Sequence, residues 1–114
     1  MAYEIVHIEF FAADLGAAAK FYQDLFAWEP SDFGPDYTVF SAGEGPGGGY
    51  TREMPEGHPV IFYVKVEDIE GKLKEIEAAG GKTEHPKTKI SDEHGYFAIF
   101  TDLHGVRVGL WSKS

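Results

Sequence analysis

The sequence predicts an α+β domain in which one strand–helix–strands unit is used twice. Three observations carry this. The opening stretch Tyr3–Phe11 alternates, with Val6, Ile8 and Phe10 on one side and Ile5, His7 and Glu9 on the other. A second β-rich run, Val60–Val66, restarts the pattern, and each run is followed by an aspartate at a helix start, Asp14 and Asp68. The later elements also correspond: Tyr37–Phe40 matches Tyr96–Phe100 with a small offset, and Gly45 and Gly49 are spaced as Gly105 and Gly109 are. This is an internal duplication of low identity, with halves 1–54 and 60–114 in a single domain spanning 1–114.

In the first half, Leu15, Ala18, Ala19, Tyr22, Leu25 and Phe26 recur at helical spacing, which predicts a helix over 15–27 with Pro30 blocking any continuation. Tyr37–Ala42 reads as a strand. Gly43–Gly49 reads as a flexible turn, and Tyr50–Glu53 as a short strand following or including the last glycines. Pro55–Pro59 is a linker. In the second half, Asp68 caps a helix with Ile69, Leu73 and Ile76 on one face and a Glu70–Lys74 pair on the solvent side. Gly80-Gly81 stops it. Lys82–Glu84 is a short strand that His85-Pro86 breaks, and Tyr96–Thr101 and Val106–Trp111 are strands joined by the turn Asp102–Gly105.

Composition excludes several functions. With 114 residues, 43% hydrophobic and 15% aromatic, the chain has enough apolar material for one core. The absence of cysteine removes disulfides, zinc–cysteine sites and a thiol nucleophile. A formal net charge of -9 argues against nucleic-acid binding. No apolar run approaches a membrane span, and the N-terminus lacks the basic start and apolar stretch of a signal peptide, so a cytoplasmic location is expected. Gly45–Gly49 lacks the Lys-Ser/Thr ending of a phosphate loop, and no serine sits in a nucleophile elbow.

The order and spacing of several short motifs resemble the vicinal oxygen chelate superfamily, the glyoxalase, bleomycin-resistance and extradiol-dioxygenase group. They are His7-Ile8-Glu9, Asp14-Leu15 and Lys20-Phe21-Tyr22 through Leu25–Glu29 in the first half. In the second they are Val64–Ile69, Ala78–Lys82, Pro86-Lys87-Thr88, Gly95–Ala98, Asp102–Gly105 and Val108–Trp111. Val106 stands where relatives often have Asn after the turn glycine. The resemblance implies paired βαβββ modules, a curved sheet around a cavity, and a homodimer.

The same resemblance implies where a metal would be held: in metal-using relatives four inner strands each give one ligand, typically His, Glu, His, Glu. His7 matches the first. Counting from the capping aspartates, the position equivalent to His7 is Ile61, which cannot ligate. Counting from the turn glycines, the last-strand position is Gly109 and its first-half partner Gly49, and neither has a side chain. A catalytic divalent ion needs about three protein ligands and an open position, so no family-type metal site and no cofactor are expected. His7 then reads as a pocket-wall or hydrogen-bonded histidine, with Glu9 beside it. His58, His85, His94 and His104 read mostly as loop and turn residues.

Strand parity places Ile61, Tyr63 and Lys65 on the inner face of the fifth strand, with Phe62, Val64 and Val66 toward the helix. Arg107, Gly109 and Trp111 alternate with Val108 and Leu110 on the last strand. The expected ligand-binding set is therefore His7, Glu9, Gly49, Ile61, Tyr63, Lys65, Arg107, Gly109 and Trp111, with His7 and Glu9 the candidate catalytic groups. Lys65 and Arg107 suit an anionic or carbonyl-bearing ligand if they face the cavity. Gly49 and Gly109 leave space on its floor. Trp28, Phe40 and Trp111 offer flat apolar surface for a ligand, but core or dimer packing is the commoner use of such residues. Three functions follow: a metal-free small-molecule binder of the bleomycin-resistance type, a metal-dependent isomerase or lyase of the glyoxalase type, or a partner protein with a vestigial cavity. The missing ligands favour the first.

Overall fold

A computed structural model of the chain describes residues 2–114. It divides into two compact units, Val6–Phe62 and a second made of Tyr63–Ser114 with the N-terminal residues up to Ile5. The element order is β1 (Ile5–Phe11), α1 (Leu15–Phe26), β2 (Glu29–Asp32), β3 (Tyr37–Ser41), β4 (Gly47–Thr51), β5 (Val60–Lys65), α2 (Ile69–Ala78), β6 (Lys82–Ser91), β7 (Gly95–Thr101) and β8 (Arg107–Ser112). This is the βαβββ order twice, as the family resemblance implies, with β2 a strand that the residue pattern did not announce.

In the first unit the strand order is β2-β3-β4-β1. β2, β3 and β4 form an antiparallel meander, and β1 runs parallel to β4 with Glu9 opposite Gly49. Asp14 caps α1 by accepting from the Ala17 amide at 3.0 Å. The helix ends at Phe26, where Ala27 turns left-handed (φ 60°) and its N–H returns to the Gln23 carbonyl. Pro30, expected to terminate the helix, instead lies in the edge strand β2, where its missing N–H costs no ladder bond.

The face of this sheet toward α1 is aromatic. Phe10, Tyr22, Trp28, Phe40 and Tyr50 pack together with Leu15 and Ala19. Trp28 lies flat on Phe40 (4.8 Å, 8°) and Tyr22 on Trp28 (5.2 Å, 13°). Trp28 and Phe40 are thus core residues, and the alternative use as ligand surface falls away. Gly47–Gly49, expected as a flexible turn, are strand. A Cβ on Gly48 would come 1.7 Å from the Ile8 carbonyl oxygen and 2.7 Å from the Phe40 ring, so only glycine permits this approach of β4 to β1.

The second unit repeats the scheme in the order β5-β8-β7-β6, with β5 parallel to β8 and β6, β7 and β8 antiparallel. Asp68 caps α2 through the Gly71 amide (3.0 Å). The ion pair on α2 joins Lys72 to Glu75 (3.0 Å), in place of the expected Glu70–Lys74. Val66, Ile69, Leu73, Ala98 and Leu110 form the core, with Val64 and Ile76 against it, so Val64 and Val66 face the helix as parity predicts. β6 is not broken at His85-Pro86. It continues to Ser91 through register shifts on either side of His85, because an edge strand absorbs a proline as a bulge.

One polar group in the first core is mispaired. Tyr50 is 1% exposed, and among the described residues its hydroxyl has no hydrogen-bond partner. Burial, with the neighbouring Tyr22, pushes its pKa up to about 12. An unmet buried hydroxyl costs about 1–3 kcal/mol. Tyr50→Phe keeps the ring contacts and removes that cost, so it should leave the urea midpoint unchanged or raise it, with the m-value unaltered. A loss of more than about 1 kcal/mol would show that the hydroxyl is satisfied.

Candidate functional site

The candidate site grows from β1. Phe10 on one face is fixed in the aromatic core, so His7 and Glu9 must project from the other. They share it with Tyr37 of β3. The Tyr37 hydroxyl donates to Glu9 Oε1 at 2.8 Å, and His7 Nε2 lies 2.7 Å from the same hydroxyl oxygen. His7 Nε2 and Glu9 Oε1 are themselves 3.9 Å apart, so the three distances set roughly a right angle at the phenol oxygen. The side chains of His7 and Glu9 are 32% and 17% exposed.

With Glu9 ionised, these contacts assign the protons. A carboxylate only accepts, and a phenol has one proton, which goes to Glu9. The contact to His7 must then be donated by the imidazole, so His7 is the Nε2–H tautomer and its lone pair is on Nδ1. The relay runs His7 to Tyr37 to Glu9, and each step is short enough for a proton to move along it. Such a unit can bind a polar group and can store or release one proton at either end.

Tyr37 reaches this position because Gly49 is bare. A Cβ built there would stand 2.2 Å from Tyr37 Cε1, Cζ and Oη. The space that Gly49 was expected to leave on a cavity floor is therefore taken by the Tyr37 ring. The second unit repeats the device: a Cβ on Gly109 would stand 2.2 Å from Tyr63 Cδ2, and Tyr63 is paired with Gly109 in the β5–β8 register. The open floor expected at Gly109 is likewise filled.

His7, Glu9, Gly49 and Ile61 belong to the first unit, and the first three are brought together on one face. Ile61 is fully buried and apolar. Tyr63, Lys65, Arg107, Gly109 and Trp111 belong to the second unit. There Lys65 is in register with Trp111 and Tyr63 with Gly109. Lys65 is exposed and lines a groove of about 670 Å³ with Tyr3, Glu4, Asp68, Lys72 and Glu75. Arg107 is only 10% exposed at its side chain and donates from Nε to Glu84 at 2.7 Å, so its charge is met within the protein. Trp111 donates from Nε1 to the His94 carbonyl (2.6 Å). A second groove, of about 630 Å³, lies in the first unit between Leu15 and Ala19 of α1 and Pro30, Asp32, Thr38 and Arg52, and does not include His7 or Glu9.

Three other histidines make contacts within the second unit: His85 stacks on Phe97 (5.0 Å), His94 bonds Ser91 Oγ (2.8 Å), and His104 donates its amide to Asp102. Among the described residues no three His, Cys, Asp or Glu side chains converge in a group able to hold a metal ion. Tyr37 is the site residue that the sequence reading missed. The available signal was parity: Tyr37 lies on the same strand face as Val39, whose ladder partner is Gly49.

Burial pushes the His7 imidazole below its ordinary value of 6.5. The sign follows. The unfolded chain takes up a proton at His7 near pH 6.5, and the folded chain only at lower pH, so stability is complete above pH 6.5 and falls as pH drops below it. Urea unfolding between pH 7.5 and 5 should show a steeper loss in the wild type than in His7→Gln. Equal slopes would mean that His7 is not held neutral.

Residues 4–110 match the family described as the Glyoxalase/Bleomycin resistance protein/Dioxygenase superfamily. A Mycobacterium bovis protein whose name calls it a glyoxylase, CFP32, is 30% identical over 89% of this chain, which spans 42% of the length of that relative. Among solved structures, a Mn(II)-bound glyoxalase from Novosphingobium aromaticivorans superposes with a TM-score of 0.74 at 19% identity, over 96% of this chain and 38% of that one. A methylmalonyl-CoA epimerase from Mycobacterium tuberculosis gives 0.72 at 12% identity, over 96% and 87%. The β1-α1-β2-β3-β4 order used twice is the fold these structures share, and the chain belongs to the Glyoxalase/Bleomycin resistance protein/Dioxygenase superfamily.

Proposed function

We propose that this chain binds a small organic molecule at the His7–Tyr37–Glu9 face and does so without the family-type metal site. The observation that carries the reading is the hydrogen-bonded relay itself. His7 and Glu9 are already joined through a phenol at 2.7 and 2.8 Å. The donor set supports the same view: Gly49 and Gly109 carry no side chain, each is covered by a tyrosine ring, and Ile61 offers no lone pair. A pair of ligands leaves most of a divalent ion's sphere to water, which gives weak binding and poor orientation of a substrate. A neutral imidazole, a phenol and a carboxylate in series suit hydrogen bonding to a polar ligand.

The second reading is a metal-dependent isomerase or lyase of the glyoxalase type. What favours it is the name carried by the mycobacterial relative and the presence of His7 and Glu9 on one strand. We further propose that the protein works as a cytoplasmic homodimer. Phe21, Leu25 and Phe26 of α1 are each more than half exposed, an apolar load that a partner would cover.

Two measurements separate the readings. Calorimetric titration of metal-stripped protein with zinc, nickel and manganese should give no submicromolar site. A thermal-shift screen of small polar compounds should find stabilising ligands whose effect is lost in Glu9→Ala. Submicromolar metal binding that vanishes in His7→Ala, together with metal-dependent turnover of a hemithioacetal, would replace this proposal with the second reading. Light scattering at micromolar concentration should give twice the 12.6 kDa chain mass, and a monomer throughout would remove the dimer.

A further inference from the structure

We propose that Tyr37 is the specificity-determining residue of this face: its hydroxyl occupies the position between His7 and Glu9, closing the pair to cations and keeping it as a hydrogen-bonding unit for organic ligands. The proposal rests on the metal-free reading above and adds, to the ligands missing at Ile61, Gly49 and Gly109, a group that fills the remaining pair.

Three features of the geometry point to this role. The phenol oxygen is within hydrogen-bond reach of both His7 Nε2 and Glu9 Oε1, the two atoms that a cation would have to share. Those atoms are 3.9 Å apart with the phenol oxygen between them, wider than the roughly 3.0–3.5 Å that separates neighbouring ligands on one ion with bonds of about 2.0–2.2 Å, so a cation would have to displace the phenol and draw the two atoms together. The relay also makes His7 Nε2 a donor. A metal needs a lone pair on that nitrogen, so binding requires both removal of the phenol and a change of tautomer.

Gly49 is part of the same device. The Tyr37 ring lies where any β-carbon at position 49 would be, so the bare strand position and the phenol come as a pair. Phe33 packs edge-on against the Tyr37 ring (6.0 Å, 72°) and its amide donates to the Tyr37 carbonyl (3.1 Å), which holds the ring from the β2–β3 turn.

The test uses the whole chain and two tyrosine variants. In ¹⁵N-histidine spectra near neutral pH, wild-type His7 should show the Nε2–H tautomer, and Tyr37→Phe should lose that fixed pattern while keeping the fold. In calorimetry, Tyr37→Ala should bind zinc or nickel at least about tenfold tighter than wild type, and His7→Ala in that background should abolish the gain. If wild type shows no binding and Tyr37→Ala gains none, Tyr37 is not the determinant, although the metal-free reading stands. A tight wild-type site lost in His7→Ala would overturn both. An Nδ1–H tautomer in wild-type protein, or an Nε2–H pattern unchanged in Tyr37→Phe, would overturn the role of the phenol.

Discussion

The candidate site depends on the absence of a side chain at Gly49. Interiors are packed too densely for a ring and a β-carbon to share one place, and the Tyr37 ring takes the place of that β-carbon. From this follows the position of the phenol oxygen, from that the bridge between His7 and Glu9, and from the bridge the tautomer of His7. Gly48, one residue earlier, serves a different end. It faces the core side and allows β4 to approach the Ile8 carbonyl closely enough to pair with β1. Two adjacent glycines therefore solve two problems on opposite faces of one strand, one in the backbone ladder and one in the site.

Register is what transmits the core to the site. Phe10 meets Tyr22, Trp28, Phe40 and Tyr50 within ring-contact distance, so a one-residue slip of β1 would expose a large aromatic and bury His7 and Glu9 instead. That penalty makes the direction of His7 and Glu9 a consequence of hydrophobic packing on the other face. The polar pair is oriented before any hydrogen bond forms, and the relay then costs little further ordering.

How much of this was legible follows from where the determining forces act. The alternation in β1, the two aspartate caps and the twofold repeat are local signals, and the residues that make them also satisfy them. β2 was invisible because Glu29-Pro30-Ser31-Asp32 has no strand preference of its own; pairing with β3 makes it a strand. β6 runs through Pro86 because it is an edge, which a sequence does not mark. Within the site, His7 and Glu9 were found by period alone. Tyr37 was not, since its role arises from a ladder partner of a neighbouring residue. The Arg107–Glu84 pair was not anticipated for a similar reason: it joins β8 to β6, two strands whose relation no local signal marks.

The duplication clarifies why the two tyrosines are not equivalent. Each unit covers a last-strand glycine with a tyrosine ring, Gly49 with Tyr37 and Gly109 with Tyr63, but the strand that supplies the ring differs. Tyr37 comes from β3, the antiparallel neighbour of β4, and so leans across it toward β1, where His7 and Glu9 wait. Tyr63 comes from β5, the parallel neighbour of β8, and stands directly opposite its glycine. The two rings fill the same kind of gap from opposite sides, and from its side the Tyr37 hydroxyl joins His7 to Glu9. In a repeated backbone, what a tyrosine ring can reach is therefore set by which strand carries it to the bare position.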